Sequence, residues 1–213
     1  SKYPFSEIIS KILNIDNLEN LHEYSSVPSK INELGKDTNT DAHKTFYQFI
    51  DKKNNEFLNI YYKFVFDVLF EQFDENILFQ KSPGLRISYP NNVAVSTWHC
   101  DSDEDNMHPQ GEINVFLPLT NCFGNNSLWI ESKPGLKDYH PIRLSVGELL
   151  IFNGSECVHG NYKNDTLITR ASLDFRLLPS NKYNPNNKVQ TATMNLSFTI
   201  GEYYADKQLI LNQ

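Results

Sequence analysis

Two imidazoles and one carboxylate in this chain stand at spacings that could hold a metal. His99 and Asp101 flank Cys100, and on a strand or its extended continuation residues two apart leave the same face. One ion could take both side chains. A third ligand must come from a distant part of the chain, and His159 offers itself in Cys157-Val158-His159-Gly160-Asn161, a small-residue turn after a predicted strand ending at Phe152. Two neutral imidazoles and a carboxylate on one face of an octahedron leave three positions open, which suits a non-haem iron(II) oxygenase. Zinc hydrolysis is the competing use of such a set. Further on, Arg170 and Ser172 flank Ala171 on another predicted strand and point the same way. A guanidinium fork with a neighbouring hydroxyl can bind a carboxylate, so the pair reads as an anion site for a dicarboxylate whose other end reaches the metal.

These side chains need a scaffold, and the chain divides in texture. From Asp41 to Phe73 apolar residues recur at helical spacing (Phe46, Phe49, Ile50, Phe57, Tyr61, Phe64, Val65, Val68, Leu69), which predicts one long amphipathic helix or two joined near Asn54-Asn55. Phe5–Leu21 predicts a shorter one. After Pro83 come short runs bounded by Gly, Pro and Asn: Leu85–Tyr89, Val93–His99, Ile113–Leu119, Ser127–Glu131, Glu148–Phe152 and Leu167–Leu177, with a last strand at Thr193–Ile200. Residues 1–80 are thus expected to be mostly helical and 81–213 to form the β core of a single domain. Helices followed by many short strands predict a mainly β fold, a sandwich or small barrel with N-terminal helices packed on one face. With 213 residues and 39% hydrophobic content, one core is available. A net charge of −7 argues against a nucleic-acid partner and for a small molecule. No apolar run is long enough to span a bilayer, and three cysteines without a CxxC pair suit a reducing cytoplasm.

The order His99-x-Asp101, His159, Arg170-x-Ser172 resembles the 2-oxoglutarate/iron(II) dioxygenase superfamily, whose fold is the double-stranded β-helix, a cupin-like jelly roll. More closely, WHCDSD (98–103), HPQGEINVFLPLT (108–120), NSLWIES (126–132), HGN (159–161) and TRASLDFRLLP (169–179) resemble the oxygenase family named for the streptomycin-biosynthesis protein StrG. The resemblance covers roughly residues 80–179, and several blocks in one order are far more specific than any one alone. It implies that His99, Asp101 and His159 ligate iron(II) and that Arg170 and Ser172 hold the distal carboxylate of 2-oxoglutarate. Dioxygen is then the oxidant, succinate and carbon dioxide are by-products, and hydroxylation is the usual outcome, ahead of desaturation or cyclisation.

Other residues have two readings each. Asn114 faces opposite to Val115 and Leu117, toward 2-oxoglutarate or toward solvent. Arg86 and Arg176 face either the substrate or the surface, since Arg170, Ser172, Asp174 and Arg176 alternate with Ala171, Leu173 and Phe175 in the usual polar-out, apolar-in pattern. The run Asp101-Ser102-Asp103-Glu104-Asp105, with Glu112 and Glu131, offers more carboxylates than a metal needs. A small cationic substrate, such as an amino or guanidino sugar, cyclitol or amino acid, is expected to meet Asp103 and Glu131, a solvated loop being the alternative. Two rival functions remain open at this point: a cupin-like sugar isomerase that needs no 2-oxoglutarate, and a non-catalytic binding jelly roll.

Overall fold

The structure is a computed structural model that describes residues 1–24, 40–52, 55–73, 76–94, 98–191 and 195–212. The chain begins with helix α1 (Phe5–Leu13), which buries Phe5, Ile8 and Ile9 along one stripe and stops at Asn14 in the left-handed conformation (φ 55°). A 3-10 turn (Leu18–Asn20) and the short α2 (Leu21–Tyr24) follow, so the expected Phe5–Leu21 helix is broken in its middle.

The long periodic segment forms two helices, α3 (Asp41–Ile50) and α4 (Glu56–Phe64), the second prolonged by a π turn at Val65–Leu69. Asn55 makes the break. Its Oδ1 accepts from Leu58 N (2.7 Å) as the N-cap of α4, while its Nδ2 donates to Ile50 O (2.8 Å) and Lys52 O (2.9 Å) at the end of α3. No helix among the described residues is long and apolar enough to cross a membrane.

Strands β1 (Ile77–Gln80), β2 (Gly84–Ser88), β3 (Ile113–Pro118), β4 (Trp129–Ile130), β5 (His140–Pro141), β6 (Leu150–Phe152), β7 (His159–Gly160), β8 (Arg170–Pro179) and β9 (Tyr204–Ala205) precede a last helix, α5 (Lys207–Leu211). They form two antiparallel sheets. The larger runs β6-β3-β8-β1-β9, with β2 pairing the first half of β8; the smaller runs β5-β4-β7. This is a double-stranded β-helix with helices on one face. The β part starts earlier than expected, because β1 already belongs to the large sheet. Residues 95–97 of the expected Val93–His99 strand and 193–194 of the expected Thr193–Ile200 strand lie outside the described residues. What is described there pairs only through isolated bridges, His99 with His159, Ser197 with Gln190 and Ile200 with Tyr204.

Strand β8 organises the fold. All its residues are buried except Asp174, which is half-buried. On one face Ala171, Leu173, Phe175 and Leu177 join Val115 and Leu117 of β3 and the helix residues Ile9, Phe46, Phe57 and Tyr61 in one apolar core, where each large side chain contributes about 1.5–3 kcal/mol. On the other face Arg170, Ser172, Asp174 and Arg176 look into the space between the sheets. Of the two readings of that face, the inward one holds: helices cover one side of β8, and Arg86, Asp101, Asn126 and Asn161 meet the polar side chains of the other.

Candidate metal centre

His99 and His159 are brought opposite each other by the backbone. His99 N donates to His159 O (3.1 Å) and His159 N to His99 O (2.8 Å), and residues directly opposite in an antiparallel pair put their side chains on one face. Their rings lie 4.6 Å apart. His159 is thus strand, not the turn expected. Asp101 is stitched in from both sides, its N–H donating to Gly154 O (2.8 Å) and its carbonyl accepting from His108 N (2.9 Å).

Asp101 Oδ1 faces both imidazoles, 3.5 Å from His99 Nε2 and 3.6 Å from His159 Nε2. One ligand atom from each of the three residues falls within 4.8 Å of the others. His159 Nδ1 lies 3.0 Å from Cys157 O; a carbonyl only accepts, so the proton sits on Nδ1 and the Nε2 lone pair is left for a ligand. Burial pushes the His159 pKa down, partly offset by Asp101, which keeps the ring neutral. Burial also opposes charge on Asp101, but the Arg176 guanidinium and His99 hold its carboxyl well below the usual range. A neutral His159 nitrogen, the His99 imidazole beside it and an ionised oxygen, close together and largely buried, fit a divalent metal.

Arg176, expected at the substrate or the surface, instead reaches Asp101 Oδ2 with Nε (3.0 Å) and Nη2 (2.9 Å). Asn114, expected on 2-oxoglutarate, donates Nδ2 to the same oxygen at 2.7 Å. Arg86 pairs with Asp174 Oδ1 (3.3 Å), and Asp174 Oδ2 accepts from Arg176 Nη1 (3.0 Å). Against its burial, the two arginines keep the Asp174 carboxyl below its ordinary value. Asp174 was not singled out from the sequence, although it shares a strand face with Arg170 and Arg176.

Arg170 and Ser172 do come together. Arg170 is 2% exposed and donates Nη1 to Ser172 Oγ (2.9 Å), Nη2 to Asn161 Oδ1 (2.7 Å) and Nε to Asn126 O (2.9 Å), with its guanidinium 5.6 Å over the Phe116 ring. Asn161 and Asn126 were missed as partners; the signal for Asn161 is its position two residues after His159.

The carboxylates expected to meet a cation have other occupations. Asp103 Oδ1 accepts from Asp105 N (3.1 Å) and from Asn106 N and Nδ2 (both 2.8 Å), closing its own turn. Glu131 Oε1 accepts from Val158 N (2.7 Å) and Oε2 from Lys137 N (3.0 Å), bonds that lower its pKa and pin the residue preceding His159. Buried Glu112 is bonded by Tyr204 Oη and by His108 Nδ1 (2.7 Å). These bonds fix where the carboxylates point while leaving Glu131 ionised.

Fold and site together define a class: a double-stranded β-helix with a two-histidine, one-carboxylate cluster in its interior, able to hold a divalent metal. No family model matches the chain. The streptomycin biosynthesis protein StrG of Streptomyces griseus is 32% identical to it over 204 residues, 96% of this chain and 93% of that one. The chain belongs to the StrG family. Among solved structures, the non-heme monooxygenase ThoJ in its apo form aligns over 100% of this chain and 85% of its own, at 11% identity and a TM-score of 0.48. HygX of Streptomyces hygroscopicus, with nickel and 2-oxoglutarate bound, aligns over 75% and 86%, at 12% identity and a TM-score of 0.38.

Proposed function

We propose that this protein is an iron(II)- and 2-oxoglutarate-dependent oxygenase that hydroxylates a small polar metabolite in the cytoplasm. The observation that carries the reading is the convergence of His99, Asp101 and His159 beside an interior strand face that also bears Arg170 and Ser172. In this reading the three residues hold iron, and Arg170 with Ser172 orients the far carboxylate of 2-oxoglutarate by charge-assisted hydrogen bonds. Iron(II) with 2-oxoglutarate and dioxygen, when bound, supplies an oxidant strong enough for an unactivated C–H bond, while 2-oxoglutarate becomes succinate and carbon dioxide. The protein contributes positioning and water exclusion. Phe116, Leu150 and Phe152 form an apolar patch within the β-helix, and the Phe152 ring lies 5.4 Å from that of His159. Membership of a family represented by a streptomycin biosynthesis protein supports a metabolite as substrate. The three free thiols, Cys100, Cys122 and Cys157, suit a reducing compartment.

The test is anaerobic addition of 2-oxoglutarate to the iron(II)-loaded protein, followed by oxygen and a metabolite extract. The expected results are a weak visible charge-transfer band that needs 2-oxoglutarate, then succinate together with a metabolite heavier by one oxygen atom. Iron bound with neither a 2-oxoglutarate-dependent band nor succinate would overturn the reading in favour of an isomerase or a binding protein.

A further inference from the structure

We propose that Arg176 and Asn114 are positioning residues that commit Asp101 to one-oxygen ligation, occupying Oδ2 so that Oδ1 alone is presented to the metal. The inference rests on the metal reading above and adds to it the residues that shape the carboxylate ligand.

The geometry is unlike that of an ordinary arginine–carboxylate pair. A guanidinium fork usually meets a carboxylate with two parallel hydrogen bonds, one to each oxygen, because that arrangement satisfies both. Here Nε and Nη2 of Arg176 converge on the single oxygen Oδ2, at 3.0 and 2.9 Å, and Asn114 Nδ2 adds a third donor at 2.7 Å. Two hydrogen bonds and a close ion-pair contact thus fall on that one oxygen. Oδ1 is left to the histidine side, 3.5 and 3.6 Å from the two Nε2 atoms. A bidentate carboxylate would take a second coordination position on the metal, one that 2-oxoglutarate and dioxygen would otherwise use.

The clamp is itself held. Asp174 Oδ2 accepts from Arg176 Nη1 at 3.0 Å, so the guanidinium cannot swing across to Oδ1 without breaking a second ion pair. Asn114 is held by β3, paired on one side with Arg176 of β8 and on the other with Phe152 of β6. Gly154 completes the arrangement. A Cβ there would stand 2.5 Å from Asn114 Cγ and Nδ2, closer than atoms can approach, so the glycine makes the room that the amide occupies. The same residue's carbonyl accepts from Asp101 N. One loop position thus fixes the backbone of the ligand and admits the side chain that orients it.

The experiment is an anaerobic titration of the full chain with cobalt(II), read by visible absorption, in wild type, Arg176→Gln, Arg176→Lys and Asn114→Leu. Loss of a group that orients a ligand lowers metal affinity roughly ten- to a hundredfold. That fall is expected for Arg176→Gln, with a changed band pattern as the freed carboxylate alters its denticity. Arg176→Lys should recover part of the affinity, since an ammonium can still donate to Oδ2, and Asn114→Leu should show a smaller fall with the same spectral change. Folded Arg176→Gln with wild-type affinity and spectrum would overturn the clamp. If that variant fails to fold, Asn114→Leu decides, because it leaves the charges intact: a wild-type spectrum and affinity there overturn the proposal equally. Wild-type protein that binds neither cobalt(II) nor iron(II) overturns the metal reading itself, an outcome distinct from a wild type that binds and variants that bind as well.

Discussion

The two faces of β8 are built from the same ten-residue strand, Arg170–Pro179, yet they serve different ends. Toward the helices, Leu173, Phe175 and Leu177 are fully buried among apolar groups, and Phe175 meets the Tyr61 ring edge-on at 5.1 Å. On the polar face, Arg170, Ser172, Asp174 and Arg176 meet Arg86 of β2, the Phe116 ring of β3 and the loops around Asp101 and Asn161. The first face gains stability from area removed from water. The second must satisfy every buried charge merely to break even, so its worth lies in the geometry it imposes. The comparison teaches that alternation in a strand separates two chemistries, not inside from outside.

The largest effect should come from the ligands. His99→Ala, Asp101→Ala and His159→Ala are each expected to abolish substrate-dependent succinate formation, because each removes one of three protein holds on the metal. Their stabilities should differ. His99 is half-buried at the rim, so its removal should shift the unfolding free energy of the metal-free protein by about 1 kcal/mol or less. Asp101→Ala leaves buried Arg176 without that partner and should cost about 3–5 kcal/mol. Succinate assays beside urea melts separate the two. Wild-type turnover in any variant removes that residue from the set.

Next is the opposite face. Phe175→Ala should cost about 3–5 kcal/mol through the cavity it leaves under the helices, with metal affinity of the folded fraction unchanged. A variant that loses metal affinity while keeping its melt would show that the faces are not independent.

The helical side also holds a titratable group, which makes the contrast testable by pH. His43 in α3 is 0% exposed, and burial, helped by the charge of Arg86, lowers its pKa from 6.5 to about 4. Above pH 6.5 both folded and unfolded chains hold it neutral and it affects nothing. As pH falls, the unfolded chain binds the proton first, so stability is lost between about 6.5 and 4, by roughly 3 kcal/mol in all. Urea melts at several pH values, with and without His43→Phe, check this: the substitution should flatten the acid-side slope. An unchanged slope would mean that His43 is not the group responsible.

How much of this was legible in the sequence follows from strand length. The ten residues of β8 and the six of β3 carry enough alternation to be read, and the facing of Asn114, Arg170, Ser172 and Arg176 was correctly grouped. Alternation alone did not say whether that group faced water; for Arg170 and Ser172 their place after His159 favoured the interior, while Arg176 and Asn114 stayed open because the strands of two residues in the small sheet have no periodicity. The spacing of His99 and Asp101 was plain, while their register against His159 arises from one isolated bridge between segments far apart in sequence. The local bonds of Asp103 and Glu131 were hidden for a different reason. A carboxylate that accepts backbone N–H groups looks the same in sequence as one that waits for a cation.

The smallest predicted effect bears most directly on what the polar face is for. Arg170→Lys is expected to raise the 2-oxoglutarate requirement about ten- to a hundredfold, the loss of a charge-assisted hydrogen bond worth roughly 1.5–3 kcal/mol, and to leave metal affinity nearly unchanged. An ammonium keeps the charge but loses the planar fork, and it cannot at once reach Asn126 O, Ser172 Oγ and Asn161 Oδ1, which Arg170 now bridges with three different nitrogens. Metal affinity should hold because the groups that touch Asp101 are Arg176 and Asn114, not Arg170. Titrating 2-oxoglutarate into iron(II)-loaded protein, and the metal into 2-oxoglutarate-free protein, gives the two affinities separately. A fall in metal affinity as large as that for 2-oxoglutarate would mean that the polar face acts as one cooperative network. An unchanged 2-oxoglutarate dependence would place the dicarboxylate elsewhere and leave Arg170 a structural bridge between β8 and the loops at Asn126 and Asn161.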